Sequence, residues 1–384
     1  MKNKIVINLK YWLLAFVLAT STFFSYFRYV TTDMKDLSNK IMTISYLLLF
    51  LLAVLLFNKM QAANYKKIWH SVFILCIPVL NLLFYMKFNL PKYELMFLEN
   101  INGLQIILVT LLGVLIVKSS VLNSTLNRYY LVAFLFGCYY VFSTLTGAFV
   151  RNQYLNENTW GLFLAPYLIY LFVTYKKAVI RVIVFVIGSL LIYSSGAHTT
   201  LLSFVTLPIF MFVFNRVKRP RILFTILIVL GLFLVYFMSN MQSDLINRIL
   251  TYRNLLWGAY LDNAASSFGT LIGGSGLWVI DNKIGINFLT RLGAHNTFIS
   301  LLNYNGIIVL ILYLCFMIFG IRKKANHFTV SDGVLYFAIT FQFAESNNPL
   351  FAYIFPSIVF FLNLFINKES EDAENELKDI AKSN

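Results

Sequence analysis

Charge is scarce in this chain. Of 384 residues only 12% are Asp, Glu, Lys or Arg, while 59% are hydrophobic, and the mean hydropathy is +0.74. Soluble domains carry about twice that share of charge, so water-soluble packing is excluded and the chain belongs in lipid. Cysteine is also rare. Cys76, Cys138 and Cys315 all fall inside apolar stretches, too far apart for a metal motif, and read as small packing residues. Proline numbers seven and histidine four, so neither a Pro-rich linker nor a histidine-rich metal tract is present.

What the sequence has in abundance is long apolar runs. Stretches long enough to span a bilayer core of about 30 Å, which takes roughly 20 apolar residues, lie near 11–30, 41–57, 68–86, 101–117, 129–149, 159–174, 179–193, 199–214, 222–239, 296–319, 330–344 and 350–366. The expectation is an all-α polytopic membrane protein with about 12 transmembrane helices. Residues 1–366 form the membrane domain and 367–384 a charged cytoplasmic tail. The segment that starts at Tyr11 follows Lys2, Lys4 and Lys10 as a signal peptide would, but it is long and has no small-residue cleavage site, so it reads as a retained helix.

The formal charge of +15 raises nucleic acid as a partner, yet the basic residues are scattered among short joints with no continuous tract or stripe. Topology accounts for them better. Alternating the joints between two sides puts 21 of the 31 Lys and Arg residues on the side of the amino terminus, and basic joints stay cytoplasmic. Both termini are therefore expected on the cytoplasmic side of a cell membrane, with no nucleic-acid partner. His70 and His327 then lie across the membrane from His198 and His295, which leaves a metal site with no evident source, and no cofactor is expected.

One joint is far longer than the others. Residues 240–295 are expected outside and carry Arg248, Arg253, Trp257, the Gly273-Gly274-Ser275-Gly276 turn and Arg291. Leu245, Ile249, Leu256 and Tyr260 are near helical spacing, which predicts an amphipathic surface helix over Asp244 to Leu261. Immediately after the loop, His295 and Asn296 open an apolar segment interrupted by Asn303, Asn305 and Gly306. Glu345 and Pro349 sit in the joint between the last two segments.

The order Arg, Trp, Gly-x-Gly, His-Asn, Gly, then Glu and Pro resembles the bacterial O-antigen polymerase and O-antigen ligase family over roughly 245–360; upstream only the topology agrees. The resemblance implies a helical bundle of the GT-C type in the bacterial cytoplasmic membrane. It also implies a glycosyltransferase for O-antigen, capsule or exopolysaccharide biosynthesis, which moves a glycan from undecaprenyl pyrophosphate to an acceptor hydroxyl on the extracytoplasmic face. The partners implied are the lipid-linked oligosaccharide, membrane lipid and other polysaccharide-assembly membrane proteins.

Such chemistry needs fixed cations at a leaving pyrophosphate, for which arginine's planar fork is suited. Arg248 and Arg253 are the first candidates, with Arg151 and Arg291; each also reads as an arginine that solvates a loop at the headgroups. It also needs a group that orients or deprotonates the acceptor, for which His295 is the candidate and Glu345 the rival. Substrate contacts are expected from His198, Asn296, Glu157 and Trp257. At Ser194 to Thr200 the chain departs from the resemblance: many relatives have Arg where His198 stands. Polymerase and ligase differ only in the acceptor, so these residues do not separate them. A flippase or transporter for lipid-linked oligosaccharide predicts ionisable groups near helix midpoints, which are sparse here.

Overall fold

A computed structural model describes residues 11–19, 44, 47, 48, 51, 65–88, 119–146, 157–241, 243–275, 294–344, 360 and 362–367. Among the described residues the regular secondary structure is all α-helix. The helices are α1 (Tyr65–Phe88), α2 (Ser119–Leu145), α3 (Glu157–Thr174), α4 (Ala178–Ser194), α5 (His198–Val217) and α6 (Pro220–Ser239). After these come three short ones, α7 (Asp244–Ile249), α8 (Arg253–Ala264) and α9 (Phe268–Gly273), and two long ones, α10 (Thr297–Gly320) and α11 (Val330–Gln342). Among the described residues three helices, α5, α6 and α10, are long and apolar enough to cross a membrane, and 160–174 and α4 are shorter apolar helices. These mark a membrane protein. The expected segments near 101–117 and most of 41–57 lie outside the described residues.

Side-chain distribution follows the lipid solvent. Along α4, Val179, Val182, Ile183, Val186, Ile187, Leu190 and Tyr193 are exposed at the three- and four-residue spacing that makes one helical stripe. Ile226, Val229, Leu230, Phe233 and Phe237 make a similar stripe on α6. An apolar stripe of this width is costly against water and costs nothing against acyl chains. The opposite faces pack inward, where Gly188 of α4 lies against Leu168 and Phe204.

Contacts between antiparallel neighbours sort the helix ends into two groups. Asn215 Oδ1 accepts from the Phe328 N–H (3.2 Å) at one end of α5, and Tyr336 donates to Thr206 nearer its middle (2.8 Å). This register brings the start of α5 level with the end of α11. At that same end Thr200 of α5 fills the space beside Gly161 of α3. Sorted this way, Arg128, Lys176, Lys177, Arg181, Arg216, Lys218, Arg219, Arg221, Arg322, Lys323 and Lys324 occupy one end, and Lys87, Arg248 and Arg253 the other.

Two positions differ from the sequence expectation. The helix expected from residue 129 begins at Ser119, so Arg128 lies within α2. There it donates to Ser124 O (2.7 Å) and lies over the Tyr11 ring. A hydropathy window misses such a start because it scores Arg128 as wholly polar, whereas an arginine can bury its stem and turn its charge outward. Asp244 to Leu261 is two helices, α7 and α8, split where Thr251 and Tyr252 take positive φ of 49° and 62°. The buried Asn254 closes this corner by donating to Met241 O (2.9 Å) and Asn247 Oδ1 (2.6 Å).

The basic end is tied by a buried ion pair. Arg322 and Asp332 lie 2.5 Å apart with side chains 3% and 0% exposed. Asp332 also accepts from Thr329 N–H, Thr329 Oγ1 and Asn367 Nδ2, and Asn367 Oδ1 accepts from Arg322 N–H (2.8 Å). One carboxylate thus joins the end of α10, the start of α11 and the helical turn at 362–367. Loss of one partner strands a buried charge, which costs about 3–5 kcal/mol. Asp332→Ala is expected to lower the melting temperature of the purified protein sharply, and the apolar pair Arg322→Met with Asp332→Leu to recover much of it. A melting temperature unchanged in Asp332→Ala would show that the pair holds nothing together.

Candidate functional site

At the other end, α10 starts from an unusual residue. His295 takes a left-handed φ of 46°, which turns the chain sharply before Asn296, the N-cap. Asn296 Oδ1 accepts from the Ile299 N–H (3.0 Å), satisfying one of the orphan donors of a helix start. Its Nδ2 reaches across to Phe343 O (2.7 Å), at the end of α11. One residue further on, Ala344 O accepts from Arg253 Nη1 (2.6 Å), the first residue of α8. Two side chains from distant parts of the sequence therefore hold consecutive carbonyls of α11's final turn. A guanidinium there also complements the negative end of the helix dipole.

Phe343 itself anchors the junction. Its ring packs on Phe298 (centroids 4.7 Å apart) and against Gly231 of α6, where a Cβ would come within 2.3 Å of it. A small separate core of Val235, Leu256, Trp257, Tyr260, Ala294 and Ile299 lies beneath, and Phe343 packs against both this core and the main one. Burial pushes the Tyr260 phenol up, and its neighbour Tyr304 adds to the shift. Tyr260 is therefore neutral at physiological pH and unsuited to act as a base.

The structure thus brings together Arg253, His295, Asn296 and the residues leading to Glu345. Trp257 is part of the underlying core, 4% exposed and with its Nε1 lacking a hydrogen-bond partner. Arg248 stands exposed on α7, five residues before Arg253. His198 is the exposed first residue of α5, after a tight turn at Gly196 (φ 79°), with its ring 6.2 Å from that of Tyr193. It shares this end of the bundle. Glu157 opens α3, also at this end, but its side chain lies outside the described residues, as do Arg151, Arg291, Glu345 and Pro349. Among the described residues no three His, Cys, Asp or Glu side chains gather in a way that could hold a metal ion.

Sequence reasoning did not foresee how the glycines and asparagines fit together. Gly306 interrupts α10 with φ 82° and ψ 175°, and Gly274 after α9 has φ 85°. A Cβ on Gly306 would come within 2.1 Å of Ile272 O, and one on Gly274 within 2.2 Å of Tyr304 O. The two backbones touch, each needing glycine for both its dihedral and its closeness. Asn263 Nδ2 donates to Asn303 Oδ1 (2.7 Å) and to Ser275 Oγ (2.8 Å), and Ser275 N–H and Oγ both donate to Asn303 O. The sequence shows polar residues inside an apolar run and, some thirty positions earlier, a Gly-Gly-Ser-Gly turn, but nothing in it pairs the two.

Neither a protein-family model nor a curated protein matches the chain.

The glycine contact yields a direct test. Gly306→Ala forces a strained dihedral and a backbone clash, together expected to cost at least about 2 kcal/mol. Its thermal melting in detergent should fall well below that of the unmodified protein, and equal melting would disprove the contact.

Proposed function

We propose that this protein is a polysaccharide polymerase of the bacterial cytoplasmic membrane. In this reading it has about twelve spans, both termini lie in the cytoplasm, and the end of the bundle that carries Arg253 and His295 faces outward. The observation that carries the proposal is the convergence of Arg253 and the His295-Asn296 pair on the last turn of α11, one residue before Glu345. The uneven division of basic residues between the two ends supports the orientation.

The reaction needs no metal in this account. The hydroxyl oxygen of a lipid-linked repeat unit attacks the anomeric carbon of the growing glycan from the face opposite the lipid pyrophosphate. The bond from that carbon to the pyrophosphate oxygen breaks, and its electron pair remains on the pyrophosphate. The hydroxyl proton passes to His295 or Glu345, and the anomeric configuration inverts. Negative charge grows on the leaving group as the bond breaks, so a fixed guanidinium lowers the transition state more than the ground state. Arg253 is held by Ala344 O, while Arg248 is exposed and is the more accessible of the two to a diphosphate at the membrane surface.

In cells lacking this protein, His295→Ala and Arg248→Ala versions at normal membrane levels should each accumulate single lipid-linked repeat units outside the membrane. Analysis of lipid-linked glycans reads the outcome. Long lipid-linked chains would indicate a ligase, material trapped inside would indicate a flippase, and normal polymer in both variants would remove these residues from the mechanism.

A further inference from the structure

We infer that the interruption of α10 is a buried binding site for a hydroxyl group, and that Asn305 is its principal contact. Asn305 is 0% exposed, and neither its Oδ1 nor its Nδ2 has a hydrogen-bond partner. Two positions earlier Asn303 is also 0% exposed; its Oδ1 and carbonyl are engaged with Asn263 and Ser275, but its Nδ2 is unpartnered. A buried amide left unpaired is costly, and more so in an apolar bundle. The break at Gly306 adds to this need, because it interrupts the backbone ladder that would otherwise occupy this level of α10.

The unused atoms identify the ligand's chemistry. On Asn305 they are one amide donor, Nδ2, and one acceptor, Oδ1; Asn303, two positions back on the same helix, turns to another face. A cation would meet the donor beside the acceptor, and an anion would meet the acceptor beside the donor, with no positive charge on either atom. A hydroxyl has two lone pairs and one O–H, so it can accept from Asn305 Nδ2 and donate to Oδ1 of the same amide. Two sources present this group: a trapped water and a sugar of the substrate. The second source rests on the proposed transferase reading; the first does not.

The experiment uses the full-length protein and its Asn305→Leu variant, which conserves volume and removes both polar atoms. High-resolution maps are obtained for protein purified with its lipid-linked glycan and for protein stripped of it by detergent washing. An ordered oxygen within hydrogen-bond reach of the Asn305 amide in both maps, and absent in Asn305→Leu, supports the site with water as occupant. Density at that place only in glycan-loaded protein, with a drop of about tenfold in polymer made by Asn305→Leu, supports it with the sugar as occupant. A dry amide in both maps overturns the inference. Lipid-linked material trapped inside cells that lack this protein would defeat the transferase reading alone, because an ordered water at Asn305 would be unaffected.

Discussion

The final turn of α11 ends with carbonyls that have no further helix to bond to, and the candidate site is built around satisfying them. Every helix end leaves such acceptors, and in an apolar bundle water is not freely available to take them. Here Phe343 O receives the Asn296 amide and Ala344 O receives the Arg253 guanidinium. The same two bonds fix where α8 and α10 begin relative to α11. The Phe343 ring, seated on Phe298 and against Gly231, closes the apolar side of the joint, so the polar and apolar constraints agree on one arrangement.

That arrangement also explains the division of labour along the chain. The basic end is stiffened by a buried carboxylate and guanidinium with their hydrogen bonds. The candidate site lies at the opposite end, where the loop helices pack on a small core of their own. Asn296 uses both polar atoms of its side chain within the protein and so fixes the start of α10 beside His295. Trp257 likewise acts as support beneath the site by packing with Ala294 and Ile299.

The all-helical, membrane-spanning character was legible in the sequence, because long apolar runs reflect the thickness of a bilayer. The expected segments at 159–174, 179–193, 199–214 and 222–239 fall on α3, α4, α5 and α6. Helix starts within polar sequence were harder, as Arg128 illustrates. The break in α10 was visible as Asn303, Asn305 and Gly306 within an apolar run, but its partner was not. The contact with Gly274 depends on two backbones meeting, and side-chain periodicity carries no record of that. The approach of Arg253 to Ala344 was likewise not legible in the sequence, since it is carried by one hydrogen bond between positions 91 apart.

The central claim is that Arg253 and Asn296 act on one shared element, the end of α11. A double-mutant cycle with Arg253→Ala and Asn296→Ala, read by thermal unfolding of the purified full-length protein, tests it most directly. Residues that share a partner are coupled by about 0.5–3 kcal/mol. The account predicts that the second substitution costs much less once the first has released the turn. Two losses that simply add would contradict it, because the two side chains would then be holding unrelated parts of the protein.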